Sequence, residues 1–316
     1  MTINLGVVAA TLLFAAGELW SQPLPGLLRG TTRATLERPA TVLRADTNLV
    51  LISAIVTDRA GSTVNGLPRD KFTVFEDHVA QPIVAFSTEE APCSVGVVLD
   101  LSGSMRDKLP AALTAVRAFL NTANPDDESF LLAVGSRPKS LLSFTADLDA
   151  LQKRLGLTQA EGSTALIDSV YLGLNQMRSS RHGRKALLVV SDGMDNDSRY
   201  SRAELLRNLQ ERDVQIHTIA ITSGTPPAGP KEQSEQQNGL ALLRDLADHS
   251  GGLNFAPAQN DDMVAAAAKI SQAVRNQYMV GYLQNPDAIS GKWRRLDVKV
   301  SVPNLRVFAR RGYFAN

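Results

Sequence analysis

Five oxygen-bearing side chains from three separate segments could together hold one divalent metal ion. The first segment is Asp100-Leu101-Ser102-Gly103-Ser104, the second contains Thr164, and the third contains Asp192. Carboxylates and hydroxyls make an oxygen-only ligand set, which hard cations prefer. The sequence therefore predicts a site for Mg²⁺, with Mn²⁺ or Ca²⁺ as alternatives, whose ligands are Asp100, Ser102, Ser104, Thr164 and Asp192.

Each segment also has an ordinary structural interpretation. Ser104 could cap a helix that begins near Lys108, Thr164 could cap one that begins near Ala165, and Asp192 could belong to a simple turn. Taken singly, these interpretations are at least as good as metal binding. The metal-site hypothesis therefore depends on the conjunction of the three segments.

Three further acidic residues near these segments receive structural interpretations. Asp168 is four residues beyond Thr164, on the same face of a helix, and is expected to form a surface pair, with support of the metal ligands from behind as the alternative. Asp195 and Asp197 are expected to be solvated turn residues, since their spacing does not fit a calcium-binding loop.

The elements that would position the ligands form an alternating pattern of apolar runs and helical stretches, which is typical of a parallel sheet covered on both faces. Apolar stripes with helical spacing begin at Leu109, Ile167 and Met263. Asp100 and Asp192 each follow an apolar run, which places them at the carboxyl edge of the sheet, where open α/β sheets carry their sites. The predicted strands are residues 94–101, 130–134, 141–144, 186–190 and 214–221, with a weaker one at 253–255.

The two ends of the chain have a different pattern, with short strands joined by short turns. Runs at Leu49–Thr57, Phe72–Phe75 and Ile83–Phe86 precede the central part, and residues 296–302 and 305–309 follow it. We expect residues 47–91 and 279–314 to form one small β-sandwich, with residues 92–278 inserted as a separate domain. Thr222–Asn238, rich in Pro, Gly, Ser and Gln, is predicted to be an exposed loop.

The order Asp-x-Ser-x-Ser, then Thr, then Asp resembles the metal-ion-dependent adhesion site of the von Willebrand factor type A domain. All five positions match, and the resemblance covers Pro92 to Gln277. It implies a Rossmann-like, doubly wound, mostly parallel sheet. It also implies direct coordination by Ser102 and Ser104, with Thr164, Asp100 and Asp192 binding directly or through water.

The flanks resemble a bacterial subgroup of exported proteins related to von Willebrand factor A. The residues that carry this resemblance are Gly66-Leu67-Pro68, the run Phe72–Asp77 and the closing Arg310-Arg311-Gly312-Tyr313.

Charge balance favours binding over catalysis at such a site. Asp100 and Asp192 neutralise a doubly charged ion and leave one coordination position for an Asp or Glu carboxylate of a partner protein. The sequence lacks a nucleophile elbow, a phosphate-binding loop and a zinc-protease motif, so we predict an adhesion or scaffold module rather than an enzyme.

Two alternatives stay open at this point. One is a magnesium-dependent phosphohydrolase with Asp100 as nucleophile, although Ser102 stands where such phosphatases carry a second Asp. The other is a site that holds no metal, in a domain that only packs against a neighbour.

Composition limits the classes of binding partner. Thirty-three basic and thirty-two acidic residues give a formal charge of +1, so bulk electrostatics favours neither nucleic acid nor an anionic membrane surface. Cys93 is the single cysteine, which excludes an internal disulfide framework.

The N-terminus indicates export. Residues 1–22 are predicted to be a signal peptide or membrane anchor, because Ile3–Gly17 is an apolar run too short for an ordinary spanning helix. No Lys or Arg precedes the run, so the basic start of a typical signal peptide is missing. Residues 23–46 are predicted to form a linker. The protein is expected in the periplasm or outside the cell, where it would contact the membrane only through an uncleaved N-terminus.

Overall fold

A computed structural model describes residues 49–222, 228–257, 260–284 and 290–315, which lie in a compact unit that starts at Asp46. The predicted signal peptide or anchor and the linker fall outside the described residues. In chain order the strands are β1 Leu49–Thr57, β2 Phe72–Glu76, β3 Val79–Gln81, β4 Ile83–Ser87, β5 Cys93–Asp100, β6 Glu128–Val134, β7 Lys139–Thr145, β8 Arg184–Ser191, β9 Gln215–Ala220, β10 Asn254–Phe255, β11 Tyr278–Leu283, β12 Trp293–Val300, β13 Arg306–Ala309 and β14 Gly312–Phe314. The α-helices are α1 Leu109–Leu120, α2 Leu148–Leu155, α3 Leu166–Gln176, α4 Arg202–Gln210, α5 Pro230–Ser250 and α6 Asn260–Arg275.

The central sheet has six strands in the order β10-β9-β8-β5-β6-β7, and all neighbours are parallel except β6 and β7. Every residue of β5, β6 and β9 is buried, and so is every residue of β8 except the half-buried Lys185, because helices cover both faces. Side chains of α1, α2 and α6 pack on one face, and those of α3, α4 and α5 pack on the other. The predicted mostly parallel α/β sheet is confirmed.

The two ends of the chain form two antiparallel sheets of four strands, in the orders β13-β1-β11-β4 and β14-β12-β2-β3. The N-terminal strand β1 lies between the C-terminal strands β11 and β13, with Val50 opposite Tyr282. Ile52 and Tyr278 from the first sheet pack in one core with Phe72 and Val298 from the second. The flanking sheets are therefore present, while the division of the chain near residues 91 and 278 stays a prediction.

One segment was predicted wrongly. Thr222–Asn238 was expected to be a loop, but α5 begins at Pro230. Proline suits the first turn of a helix, and the Lys, Glu and Gln residues that follow are good helix formers. The start of this helix is exposed, so its sequence contains no apolar stripe that would predict a helix. Leu242, Leu243 and Leu246 are buried and anchor only its second half. Residues 223–227 lie outside the described part of the chain.

None of the helices within the described ranges is both long enough and apolar enough to span a bilayer.

A buried imidazole in β9 adds a pH dependence to the stability of this fold. His217 is fully buried, and its Nδ1 accepts a hydrogen bond of 3.1 Å from the backbone N–H of Leu253. Its Nε2 has no hydrogen-bond partner among the described residues. Burial lowers the pKa of His217 to about 3, because the site cannot hydrate an imidazolium.

We predict that replacing His217 flattens the acid branch of the stability curve. The folded pKa lies below the unfolded value of about 6.5, so the unfolded state takes up a proton first as the pH falls. The free energy of unfolding should then fall by about 1.4 kcal/mol per pH unit below about pH 6. The variant His217→Gln should lose this slope in urea unfolding curves recorded between neutral and mildly acidic pH.

The matched control is His78→Asn, which removes an exposed histidine at a positive φ of 71° that asparagine tolerates. This control should keep the wild-type slope. Identical slopes in all three proteins would show that His217 is not the group responsible.

Candidate metal centre

Asp100 and Ser191 end two neighbouring parallel strands at the same edge of the central sheet. Leu99 of β5 lies opposite Val190 of β8, so the next residue of each strand emerges at the carboxyl edge. The Ser191 hydroxyl donates a hydrogen bond to Oδ2 of Asp100. The first and third predicted segments are thereby joined where the sheet ends.

Asp100 is withdrawn from solvent, with an exposed fraction of 0%. Its Oδ1 accepts a hydrogen bond of 2.9 Å from the backbone N–H of Ser102. Burial raises the pKa of Asp100 to about 6, and the nearby charge of Asp192 adds to the rise, while hydrogen bonds from Ser191 and Ser102 oppose it. A carboxylate so placed gains strongly from an adjacent positive charge.

Ser104 lies on a short 3-10 turn, Gly103–Met105, and Ser102 is the residue that precedes this turn, two positions after the end of β5. Ser102 is buried and Ser104 is exposed, and their hydroxyl oxygens are 3.1 Å apart. The backbone N–H of Gly103 donates a hydrogen bond of 2.9 Å to the carbonyl of Gly162. This bond ties the first segment to the loop that carries Thr164.

Thr164 is buried and fixed against the loop that follows β8. Its N–H donates to Oδ1 of Asn196 at 2.9 Å, and its carbonyl accepts from the N–H groups of Asn196 and Asp197 at 3.0 Å each. The helix α3 begins after Ala165, and no side chain caps it there. The capping interpretation is therefore wrong for Thr164, which leaves its hydroxyl without that structural role.

Asp192 is buried directly after β8, and it pairs with a lysine that the sequence reasoning did not include. Its Oδ1 accepts from the N–H of Met194 at 3.1 Å, and Nζ of Lys108 lies 2.9 Å from its Oδ2. Lys108 precedes the first residue of α1, and its side chain is 17% exposed. A cation is disfavoured at the N-terminal end of a helix unless an acidic partner offsets it. The position of Lys108 before a predicted helix could therefore have indicated that it has an acidic partner.

The donor chemistry of these residues fits a hard divalent cation. The structure brings all three predicted segments to one edge of the sheet, with two carboxylates and three hydroxyls and no competing thiol or imidazole among them. Oδ2 of Asp192 already contacts a positive charge, the ammonium group of Lys108. In the described ranges no cluster of three or more His, Cys, Asp or Glu side chains could hold a metal, so binding here would depend on the hydroxyls. The role of the five residues as ligands stays a prediction.

Two acidic residues behind the site have structural roles that the sequence did not reveal. Asp168, predicted to form a surface pair, is buried, and its carboxylate accepts from the N–H groups of Arg199 and Tyr200 and from Nε of Arg199. Asp195, predicted to be a solvated turn residue, accepts from the N–H of Ile167 in the first turn of α3. Together they fix the loop after β8 against α3.

The other predicted turn residue, Asp197, accepts a hydrogen bond of 2.6 Å from the hydroxyl of Ser163 and remains exposed, as expected.

The sequence of this region matches a known protein family. Residues 95–194 match the family model of the von Willebrand factor type A domain. This part of the chain is similar to that family. The matched range contains all five candidate ligands.

Several solved structures are similar to the chain. A conserved hypothetical protein named BatB from Bacteroides thetaiotaomicron is 16% identical, with a TM-score of 0.47 over 57% of this chain and 98% of that one. The von Willebrand factor domain of the type V pili tip protein from Porphyromonas gingivalis is 14% identical, with a TM-score of 0.48 over 58% of this chain and 95% of that one. A von Willebrand factor type A protein from Catenulispora acidiphila is 13% identical, with a TM-score of 0.47 over 86% of this chain and 76% of that one.

Structural similarities this weak give no information about the binding partners of this protein. No curated protein sequence matches the chain.

In this von Willebrand factor A domain, the backbone after Asp192 packs against a helix with no room for side chains. Gly193 has a φ of 80°, and a Cβ there would lie 2.3 Å from the carbonyl oxygen of Gly239. A Cβ on Gly239, inside α5, would lie 2.9 Å from the carbonyl oxygen of Asp192. The helix α5 therefore supports the ligand loop through direct backbone packing.

We predict that Gly239→Ala destabilises the domain, although glycine to alanine in a helix ordinarily stabilises by about 1 kcal/mol. The added methyl group would push the Asp192 loop away from α5, and overpacking of this kind costs about 1–3 kcal/mol. Urea unfolding measures the loss. The control is Gln237→Ala, an exposed position on the same helix, which should leave stability nearly unchanged. An unaltered or increased stability of Gly239→Ala would refute the backbone contact.

Proposed function

We propose that this protein is a metal-dependent adhesion or scaffold module, in which Asp100, Ser102, Ser104, Thr164 and Asp192 hold one divalent cation that bridges to an acidic residue of a partner protein. The main support is that hydrogen bonds join the three ligand-bearing segments at a single edge of the sheet. A von Willebrand factor A domain generally mediates binding between proteins, which agrees with this proposal.

Electrostatics supports the choice of a cation. Burial raises the pKa of Asp100, and the charge of the buried Asp192 adds to the rise. Two neighbouring carboxylates without water repel each other, so a positive charge between them stabilises the folded domain. A divalent ion supplies that charge together with an open coordination position for a carboxylate oxygen of another protein.

The surroundings of the site support binding rather than turnover. Both oxygens of Asp100 are engaged by the Ser102 N–H and the Ser191 hydroxyl, which restrains this carboxylate from acting as a nucleophile. The three candidate segments contain no histidine, the commonest general base, and His217 is buried within β9. We propose that the module has no catalytic activity of its own.

We also propose that the protein is exported. The support is the apolar run Ile3–Gly17, followed by polar residues, which remains outside the described part of the chain.

We predict that titration calorimetry detects Mg²⁺ binding to the wild-type protein and loses it in Asp192→Asn. The amide keeps the shape of the side chain but removes one of two negative charges from the ligand set, which should weaken binding at least tenfold. Partner capture from envelope extracts should fall in parallel, and EDTA should abolish it for the wild type. The control is Asp107→Asn, an exposed carboxylate three residues from Ser104, which should bind Mg²⁺ normally.

Three results would count against this proposal. Absence of Mg²⁺ heat in the wild type would favour a domain that only packs against a neighbour. Equal weakening in both variants would show a diffuse charge effect. Hydrolysis of a simple phosphomonoester that disappears in Asp100→Asn would favour the phosphohydrolase alternative.

We further predict that Lys108→Met tightens Mg²⁺ binding. The Lys108 ammonium neutralises Asp192 and competes with any other cation for its Oδ2. Removal of one positive charge beside the site should increase Mg²⁺ affinity roughly tenfold, as measured by calorimetry. Without metal, the same variant should be less stable than the wild type, because Asp192 then lacks a partner.

The matched control is Lys108→Arg, which keeps the charge and should bind Mg²⁺ with nearly wild-type affinity. If Lys108→Met binds Mg²⁺ more weakly than the wild type, the lysine assists the metal site and our interpretation of it is wrong.

A further inference from the structure

A groove of about 570 Å³ runs beside the candidate metal centre. It is formed by the end of β5, by the β6–β7 hairpin and by the connection between α2 and α3. Leu101, which lies between the ligands Asp100 and Ser102, lines this groove together with Gly162. The carbonyl of Leu101 accepts a hydrogen bond of 2.8 Å from the N–H of Glu161, so groove and metal centre share the same backbone wall.

The groove is basic. Arg137, Lys139 and Arg154 line it, against the single acidic side chain of Glu161. Arg137 and Lys139 are exposed. Through the ranges that the structure describes, none of the three has an acidic side chain within 4.0 Å. Arg154 also holds its Nε shielded from solvent without a hydrogen-bond partner in this part of the chain.

A second groove, of about 800 Å³, lies on the other side of Ser136-Arg137-Pro138 and provides a contrast. Arg137 lines both grooves, but the other basic residue of the second groove, Arg199, is already paired with Asp168 at 3.0 Å. The second groove also contains the carboxylate of Asp197. Lys139 and Arg154 line the first groove and not the second, so the larger uncompensated positive charge lies in the first groove.

We propose that the groove lined by Arg137, Lys139 and Arg154 binds an acidic segment of the partner protein, next to the carboxylate that reaches the metal centre. This inference rests on the proposed function for the position of that carboxylate. An extended acidic peptide fits because its successive carboxylates can follow the groove from Gly162 towards Lys139. Nucleic acid is disfavoured, because the basic surface is limited to three side chains beside buried carboxylates.

The test uses two fluorescent peptides of equal length, one of eight glutamates and one of eight glutamines, with binding measured by fluorescence anisotropy in Mg²⁺. The glutamate peptide should bind the wild-type protein and the glutamine peptide should not. The double variant Arg137→Gln/Lys139→Gln should bind the glutamate peptide about three- to tenfold more weakly, since exposed ion pairs contribute about 0.2–1 kcal/mol each. Its Mg²⁺ affinity by calorimetry should stay at the wild-type value.

The matched control is Arg178→Gln/Arg207→Gln, which removes the same charge from two exposed positions outside the groove. It should bind the glutamate peptide like the wild type. Equal weakening in both double variants would overturn the inference, and so would the absence of glutamate-peptide binding to the wild type. Tighter, groove-dependent binding of a single-stranded DNA oligonucleotide would also overturn it, in favour of nucleic acid.

Chelation separates this inference from the function on which it rests. Groove-dependent peptide binding that survives EDTA, in a protein that gives no heat with Mg²⁺, would support the basic groove and reject the metal-bridged contact. Peptide binding that depends on Mg²⁺ but not on Arg137 and Lys139 would do the reverse.

Discussion

The burial of two carboxylates side by side at the end of a parallel sheet is the constraint on which this structure depends. Asp100 is fully buried and Asp192 nearly so, and burial, with an added contribution from the Asp192 charge, raises the pKa of Asp100. Hydrogen-bond donors stabilise the carboxylate of Asp100, and the Lys108 ammonium pairs with that of Asp192. Such an arrangement would be unfavourable for stability alone, because apolar residues of similar size would fill the space without a desolvation cost. The site thus keeps an excess of negative charge that a cation from outside can neutralise.

The three loops that carry the candidate ligands are held in place by contacts within the protein. The Gly103–Gly162 hydrogen bond joins the first two loops, and the contacts of Thr164 with Asn196 join the second to the third. Close backbone packing against Gly239 supports the third loop from behind. Loops fixed in this way lose little conformational freedom when they bind a ligand, so more of the interaction energy appears as affinity.

The sequence was sufficient for the sheet and for the meeting of the three segments, because buried parallel strands are continuous apolar runs and their carboxyl ends share one edge. It was insufficient where a residue acts through a partner distant in the chain. Lys108 is 84 residues from Asp192, and Asp168 is 31 residues from Arg199, so nothing local indicates either pair. The helix α5 was missed for another reason, since its polar first turns carry no apolar stripe. Helix propensity, with Pro230 at its start, was the signal that outweighed a loop-like composition.

The attachment of the flanking sheets determines from which side a partner can approach. Several hydrogen bonds between these sheets and the central domain lie at the amino-terminal edge of the central sheet, at the opposite end of the strands from the site. Gln215, the first residue of β9, donates to the carbonyl of Ser53 in β1, and it accepts a hydrogen bond of 2.7 Å from Gln277 just before β11. Arg184, the first residue of β8, binds the carbonyl of Glu89, which follows β4. Among the described residues, the side-chain partners of Asp100 and Asp192 all come from the central domain. Because the amino-terminal ends of β8 and β9 make these attachments, the proposed ligand would bind at the opposite ends of the strands, beside the basic groove.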